Sequence, residues 1–337
     1  MTLIAPRFPL TLNTAKMGTA ILFLTIFSFI PVFVRDPYIL HVIILSFMYA
    51  VLSSSWNFIC GYTGIFTFGH QGFFGIGAYV SALLCMKLGI SAWIGIMIGG
   101  FSAALLSLSI GLPCLRLRSP AYIALTSLAF AEIARIVCMN LVDLTRGELG
   151  LWGIPNLTDI HIGLWLISFA GIDRRPYYYL MLVILSISAL VLYKQIHSPH
   201  GLALKAIRES QDAAESLGIP ITKYKLYAFL LSSFFAGIVG AFYAHYITIL
   251  TPTSIFGVGV MVEILTMALL GGLGTFVGPI VGAFLLVVGL EYLRSVGEYR
   301  FIVYGLVLIV VILFIPNGLV DKISSWRPKK MTKMENN

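Results

Sequence analysis

The sequence predicts an all-α integral membrane protein, a polytopic bundle of about ten transmembrane helices within one domain, residues 1–337. Two observations about composition lead to this prediction. The chain is 59% hydrophobic and only 11% charged, whereas soluble domains are about 25% charged. Apolar runs of about 18 residues or longer also recur, and a helix of that length crosses the ~30 Å hydrocarbon core of a bilayer.

The candidate spans are the successive apolar runs of the chain. They cover residues 18–34, 38–60, 62–86, 90–112, 120–140, 177–193, 226–247, 257–273, 276–293 and 300–316. The first run follows Arg7 and Lys16, as the apolar part of a signal peptide does, but no small-residue cleavage site comes after it. We therefore interpret it as a retained first span.

The net charge of +8 indicates membrane topology and not a nucleic-acid partner. Lys and Arg lie at the ends of apolar runs and in the basic tail, residues 317–337. With a cytoplasmic N-terminus, the loop 195–225 and this tail both fall in the cytoplasm, whereas the loop 141–176 falls outside it. This arrangement matches the excess of Lys and Arg in the cytoplasmic loops of membrane proteins. We expect both termini to be cytoplasmic.

No enzyme site is recognisable in the sequence. It has no G-x-S-x-G elbow, no H-E-x-x-H pair and no Gly-Lys dipeptide of a phosphate-binding loop. The four cysteines are not spaced as C-x-x-C, so neither a disulfide framework nor a zinc site is predicted. We expect no catalytic residue, metal or cofactor in this chain.

Two sets of glycines recur at helical spacing, where they would let neighbouring backbones approach closely. They are Gly69, Gly72 and Gly75 in the first half, and Gly274, Gly278 and Gly282 in the second. The tracts that contain them are also similar, TFGHQGFFGIGAY and TFVGPIVGAF. A pseudo-repeat of two halves around a central path explains this similarity, and so does chance similarity between two glycine-rich helices.

Glu132 and Arg135 are charged residues in the middle of the fifth span. Each costs roughly 2.5–3.5 kcal/mol to insert at the centre of a bilayer. An exposed pair at i and i+3 returns only about 0.2–0.5 kcal/mol. We therefore expect the pair to face the bundle or a wet cavity instead of lipid. Two roles remain open, a polar group that lines a translocation path and a structural clamp between helices.

His70, Gln71 and Glu263 are further polar residues within predicted spans. A lone histidine in a glycine-rich helix is commonly a hydrogen-bonded packing residue, and Gln71 beside it is comparable. Glu263 has no obvious partner nearby in the sequence. All three are candidates for a translocation path, because polar residues inside a membrane are costly and commonly functional.

Residues 208–220, RESQDAAESLGIP, form an unusually polar segment in this apolar chain. The pattern predicts a short helix that stops at Gly218, a C′-like position that Pro220 follows closely. The small residues Ala213 and Ala214 form a patch that a partner could approach closely, as when a helix docks in a groove. A solvated connecting loop explains the same pattern.

Five separated tracts carry a family resemblance. In chain order they are GYTGIFTFGHQGFFGIGAY, LRLRSPAYIALTSLAFAEIARIV, GELGLWGIP, the segment around DAAESLGIP, and ALLGGLGTFVGPIVGAF. Over residues 51–316 the chain resembles the branched-chain amino acid permease family of ABC importers, specifically its LivM-type subunit. DAAESLGIP is similar to the E-A-A-x-x-x-G coupling motif of such permeases. The chain departs from the family pattern at Ile65, Phe68, Gln71 and Arg146.

The resemblance implies a permease subunit in a bacterial inner membrane. Its implied partners are a second homologous permease, two ABC ATPase subunits that bind ATP and Mg, and a periplasmic binding protein. A helix over 208–218 would dock on an ATPase. The implied coupling residues are Asp212, Ala213, Ala214 and Gly218. Residues that match family positions within the fifth span are Tyr122, Glu132 and Arg135, which we keep as path candidates.

Leucine, isoleucine and valine are the substrates that the resemblance implies. Urea, short amides or other amino acids are alternatives within the same importer class. A stand-alone channel or ion-coupled carrier is a different class of protein, in which Glu132 and Glu263 would bind ions. That class predicts transport without ATP and assigns no role to residues 195–225.

Overall fold

The computed structural model describes residues 14–34, 36–117, 119–162, 165–169, 171 and 173–292, together with 305, 306, 309, 313 and 318–320. The first half contains α1 (Thr14–Phe33), α2 (Pro37–Thr63), α3 (His70–Leu88), α4 (Ala92–Arg116) and α5 (Pro120–Asn140). A short helix, a 3-10 turn and three short strands follow: α6 (Val142–Thr145), Gly147–Leu149, β1 (Leu151–Trp152), β2 (Ile160–Ile162) and β3 (Trp165–Ile167). The second half contains α7 (Arg175–Ile196), α8 (Pro199–Glu209), α9 (Gln211–Ser216), α10 (Ile221–Ile247), β4 (Ile249–Leu250), α11 (Pro252–Phe256), α12 (Val258–Gly271) and α13 (Gly278–Tyr292).

The helices confirm a polytopic, all-α membrane fold. Among the described residues, seven helices are long and apolar enough to cross a membrane, and α1 and α13 contribute two shorter apolar helices. These elements coincide with the spans predicted from residue 18 to residue 293. The last predicted span, 300–316, and the basic tail, 317–337, lie outside the described residues except at a few positions. The count of ten spans therefore stays a prediction.

The bundle has two ends, which we name by the elements they carry. The inner end carries α8 and α9, and the outer end carries α6 and residues 141–174. At the outer end β1 pairs antiparallel with β4, and β2 pairs antiparallel with β3 as a hairpin. The loop predicted to lie outside the cytoplasm, 141–176, is thus largely built from short helices and strands. Which side of the membrane each end faces stays a prediction.

The third predicted span, 62–86, begins too early, because the chain is not helical between α2 and α3. Gly64 takes a left-handed conformation with φ 72° and ends α2. The stretch that follows is mostly buried, and the Phe68 amide donates a 2.8 Å hydrogen bond to Ser127 Oγ on α5. Non-helical backbone is tolerated at membrane depth where protein buries it and satisfies its polar groups.

The centre of the bundle is α10, which packs against α2, α3 and α4. Its side chains Phe229, Ala236 and Phe242 are fully buried. A β-carbon placed on Gly240 would overlap the Phe74 carbonyl of α3. The backbones of α3 and α10 are therefore in direct contact, as expected where small residues and van der Waals packing hold membrane helices together.

The two predicted glycine sets lie at close contacts, but not all of their members lie within helices. Close contacts with other helices form at five of these positions, Gly69, Gly72, Gly75, Gly278 and Gly282. Gly69 is the residue before α3, and Gly274 lies in the turn between α12 and α13 with φ 74°. The Gly274 amide donates to Asn57 Oδ1 of α2 at 2.8 Å. Glycine adopts left-handed conformations without strain, so the sequence spacing reflects a turn followed by a helix.

The two similar glycine-rich tracts occupy matching places in the fold. Thr67 stands three residues before the first residue of α3, and Thr275 stands three residues before the first residue of α13. Each tract therefore opens a helix after a non-helical segment. The relation between two halves of the chain stays a prediction.

Candidate translocation and coupling sites

Glu132 and Arg135 form an ion pair within α5. Arg135 Nε lies 3.0 Å from each carboxylate oxygen of Glu132, and Arg135 Nη2 also contacts Oε1. Arg135 Nη1 lies 3.2 Å from Met139 Sδ. Because these groups belong to one helix, the pair does not clamp two helices together within the described part of the chain.

The ion pair lies on the surface of this chain. The side chains of Glu132 and Arg135 are 39% and 25% exposed. The described helices of this chain therefore do not bury the pair in their bundle, and the expectation that it faces a bundle or a wet cavity instead of lipid stays a prediction. The pair is exposed because α5 uses one side to pack on α3, α4 and α11. Its other side is not covered by any described element.

We call this uncovered side the α5 face and define it by six exposed or partly exposed residues. They are Tyr122, Leu125, Glu132, Ile133, Arg135 and Ile136. Tyr122, a predicted path residue, is 62% exposed there. The face is mostly apolar, and its charges lie near the middle of the helix. Glu148 of the outer end interacts electrostatically with Arg135, so charged groups continue outward from the pair.

His70 and Gln71 open α3 and are buried inside the bundle. His70 Nε2 lies 2.9 Å from Ser55 Oγ of α2, and its ring packs edge-on against Phe73. Among the described residues, His70 Nδ1 and Gln71 Oε1 have no hydrogen-bond partner. The histidine therefore links α2 to α3, and neither side chain belongs to the α5 face.

Glu263 on α12 has a partner that the linear sequence does not reveal. The Tyr49 hydroxyl of α2 donates to Glu263 Oε2. A comparable contact joins α2 to α13, where the Tyr38 hydroxyl donates to Glu291 Oε1 at 2.5 Å. Both carboxylates are thus hydrogen-bonded between helices.

The predicted helix over 208–218 is two helices. Ser210 interrupts it with an extended backbone (φ −157°, ψ 113°), so that α8 ends before it and α9 begins after it. The Ser210 hydroxyl accepts a 3.3 Å hydrogen bond from the Ala213 amide and caps α9. Serine favours this capping role over a helix interior. We call residues 199–218 the α8–α9 unit.

The predicted stop at Gly218 is confirmed. Gly218 is left-handed with φ 78°, and its amide donates to the Glu215 carbonyl at 2.9 Å. The Ile219 amide donates to the Ala214 carbonyl at 3.1 Å. These two hydrogen bonds form a Schellman motif, which satisfies the last carbonyls of α9 and fixes the turn after it.

The predicted patch of two alanines is wrong. Ala213 is exposed, but Ala214 is only 2% exposed and packs within the chain, because neighbours on a helix point about 100° apart. Asp212 is exposed beside Ala213. Leu217, which sequence reasoning missed, is 79% exposed at the end of the unit. A large apolar side chain in a polar segment is the sequence signal that would have found it.

Arg208 reaches from the end of α8 to the inner ends of other helices. Its Nη1 donates to the Gly61 carbonyl in the last turn of α2. A β-carbon on Gly274 would lie 2.7 Å from Arg208 Nη1, and one on Gly64 would lie 3.3 Å from Arg208 Cγ. Sequence reasoning treated Arg208 only as part of a polar run, because no local pattern identifies partners so distant in the chain.

A pocket of about 180 Å³ lies at the outer end, between α3 and α6. Lys87, Asp143 and Arg146 supply its charged groups. The Lys87 amine donates to the Asp143 carbonyl at 3.3 Å. Arg146 is left-handed with φ 61°, a conformation that glycine adopts more readily. The departure at Arg146 therefore adds a cation to the rim of this pocket.

A family model described as the permease component of a branched-chain amino acid transport system matches residues 38–312. The match includes every described long helix after α1. It also includes the α5 face and the α8–α9 unit. No solved structure matches the chain significantly.

Several curated relatives are similar to the chain. The high-affinity branched-chain amino acid transport system permease protein LivM of Escherichia coli (strain K12) is 33% identical over 292 residues, 82% of this chain and 68% of the relative. The corresponding LivH protein of Salmonella typhimurium (strain LT2) is 26% identical over 81% of this chain and 91% of its own length. The probable branched-chain amino acid transport permease protein LivM of Methanocaldococcus jannaschii is 22% identical over 82% of this chain and 91% of its own length.

Proposed function

Because this chain belongs to the branched-chain amino acid permease family, we propose that it is the membrane-spanning subunit of an ABC importer. Its proposed substrates are leucine, isoleucine and valine. The proposed assembly contains a second, homologous permease, two ATPase subunits that bind ATP and Mg, and a periplasmic binding protein. It lies in the inner membrane of a bacterium, with the α8–α9 unit and both termini in the cytoplasm.

The observation that carries this proposal is the α8–α9 unit. It presents Asp212, Ala213 and Leu217 outward. The Ser210 cap and the Schellman turn at Gly218 fix its two ends, so little conformational freedom would be lost on binding. An exposed leucine beside a small residue suits a helix that lies in a groove of a partner. A stand-alone channel has no use for such a surface.

The α5 face is the proposed boundary of the translocation path. Each charge at membrane depth costs roughly 2.5–3.5 kcal/mol in lipid, and an exposed pair within one helix returns only about 0.2–0.5 kcal/mol. The Glu132–Arg135 pair is therefore unfavourable against lipid and favourable against water or protein. A second permease packed over the α5 face would place both protein and a water-filled path next to the pair. The path would then lie between the two permeases.

The relatives support such a pair of permeases. Salmonella typhimurium has both a LivM and a LivH permease protein that are similar to this chain. Both names refer to high-affinity branched-chain amino acid transport. We propose that this chain takes the LivM place and that a LivH-like chain covers its α5 face.

Reconstitution tests the proposed function. We expect the complete importer in liposomes to take up radiolabelled leucine only when its binding protein and ATP are present. We also expect Leu217→Glu and Gly218→Val to leave an inserted chain that no longer co-purifies with the ATPase. Leu217 is 79% exposed, so the new carboxylate would not be buried in this chain. Valine at Gly218 would strain a left-handed residue by about 1–2 kcal/mol.

Leu202→Glu is the matched control, because Leu202 is also exposed but lies on α8. This variant should bind the ATPase and transport leucine normally. Uptake by this chain alone without ATP would contradict an importer subunit. Normal ATPase binding by Leu217→Glu would contradict the assignment of the docking surface.

A further inference from the structure

We propose that Arg208 is a positioning residue that couples the α8–α9 unit to the inner ends of α2 and α13. Through Arg208, movement of a bound ATPase would reach the membrane helices. This inference rests on the proposed function, in which Asp212, Ala213 and Leu217 of the α8–α9 unit form the surface that docks on the ATPase. Its own basis is the set of contacts that the guanidinium makes away from the docking surface.

The first contact joins Arg208 to α2. The last four carbonyls of a helix have no partner within it. In α2, the Cys60 carbonyl accepts the Gly64 amide, and the next carbonyl, that of Gly61, accepts Arg208 Nη1. A cation at the C-terminal end of a helix is also stabilised by the helix dipole. Arg208 therefore caps α2 from another part of the chain.

The second contact joins Arg208 to the turn before α13. A β-carbon on Gly274 would lie 2.7 Å from Arg208 Nη1, so this turn closely approaches the guanidinium. Asn57 of α2 holds the same turn, because its Nδ2 donates to the Thr275 carbonyl at 2.8 Å and its Oδ1 accepts the Gly274 amide at 2.8 Å. The guanidinium thus lies where α8, α2 and the turn before α13 meet.

The position of Arg208 within the α8–α9 unit suits a coupling role. It lies in the last turn of α8, two residues before the break at Ser210. The docking surface begins just beyond that break, at Asp212. On the other side of the break, Lys225 of α10 donates to Gln211 Oε1 at 2.8 Å. The junction of α8 and α9 is therefore tied to α2 through Arg208 and to α10 through Gln211.

Arg208→Ala in the reconstituted importer tests this inference. We expect this variant to assemble with the ATPase as the unchanged chain does and to hydrolyse ATP at a similar basal rate. The amount of leucine transported per ATP hydrolysed should fall by about tenfold or more. A change of this size is expected when one hydrogen bond to a charged group is lost. Arg208→Lys should recover part of the loss, because an amine can donate to the Gly61 carbonyl but lacks the planar fork of arginine.

Lys205→Ala is the matched control. Lys205 is another cation on α8 and lies 5.7 Å from the centre of the Tyr62 ring. Its removal should leave transport per ATP within about twofold, since an exposed cation–π contact contributes about 0.5–1 kcal/mol or less.

Asn57→Ala removes the other support of the same turn without changing Arg208. It should lower transport per ATP, and combining it with Arg208→Ala should add little further loss, because neighbouring residues that act through one element are not additive. Unchanged transport per ATP in Arg208→Ala would overturn the inference. Loss of ATPase binding in that variant would overturn it too, since it would make Arg208 part of the docking surface. Failure of the unchanged chain to bind an ATPase would instead overturn the proposed function.

Discussion

α5 and α10 are both long apolar helices, yet they occupy opposite environments in this chain. In the most apolar stretch of α10, 67% of the residues are buried, compared with 17% in α5. Neighbouring helices surround α10, and its backbone contacts that of α3 at Gly240. By contrast, α5 leaves one side uncovered and places Glu132 and Arg135 there.

This difference shows that apolar character and exposure to lipid are separate properties of a membrane helix. Apolar length makes both helices able to cross a bilayer. Small residues such as Gly240 then indicate contact with another helix of the same chain. Charges in the middle of an otherwise apolar exposed face indicate a surface that something other than lipid must cover. On this reasoning α10 is the core of one subunit, and we propose that α5 is an edge between subunits.

The largest expected effect is at the core of α10. Gly240→Val would drive a side chain into the Phe74 carbonyl, and overpacking of a close contact typically costs about 1–3 kcal/mol or more. We expect little folded protein in detergent, as measured by gel filtration and thermal unfolding. Gly259→Val is the matched control, because apart from its chain neighbours and its own helix backbone no described atom lies within 4 Å of a β-carbon on Gly259. Similar yields of both variants would contradict the close packing of α3 on α10.

The next effect concerns the ion pair on the α5 face. Glu132→Leu leaves Arg135 without its carboxylate, and an uncompensated charge at membrane depth costs roughly 2.5–3.5 kcal/mol. We expect less assembled importer and much less leucine uptake. Glu132→Leu combined with Arg135→Leu removes both charges, so insertion should recover while uptake stays low. Uptake at the level of the unchanged chain in the double variant would show that the pair does not serve the path.

The smallest effect is expected at Leu125 in the isolated chain. Leu125 is 61% exposed, so Leu125→Ala should change the stability of the chain alone by less than about 0.5 kcal/mol. Phe242→Ala in α10 removes a fully buried ring and should cost about 3–5 kcal/mol. Thermal unfolding of the two variants measures the contrast. Equal destabilisation would mean that α5 is buried within its own chain.

Local patterns in the sequence predicted most of the helices. The run 120–140 is found as Pro120–Asn140, because a proline at the start and a polar residue at the end delimit an apolar segment of suitable length. The stop at Gly218 was predictable for the same kind of reason, since a glycine followed by a proline two residues later is a local signal. The early start of the third span was wrong because hydropathy does not detect a buried, non-helical segment.

Contacts between distant parts of the chain were not predictable. Tyr49 and Glu263 are 214 residues apart, and Arg208 and Gly61 are 147 residues apart. The insertion cost of Glu132 and Arg135 predicts that the pair avoids lipid, but that cost does not identify the element that covers it. The sequence predicted that the pair faces the bundle or a wet cavity, and the described helices of this chain leave the α5 face open.

Cysteine crosslinking in the assembled importer tests most directly what covers the α5 face. The four native cysteines would first be replaced by serine, and Leu125→Cys would then be compared with Leu190→Cys on α7, which is 50% exposed. Our account predicts that the cysteine at position 125 crosslinks to the second permease and is protected from a lipid-soluble maleimide. The cysteine at position 190 should react with that maleimide and form no such crosslink. Equal labelling at both positions, without a crosslink from position 125, would contradict the account.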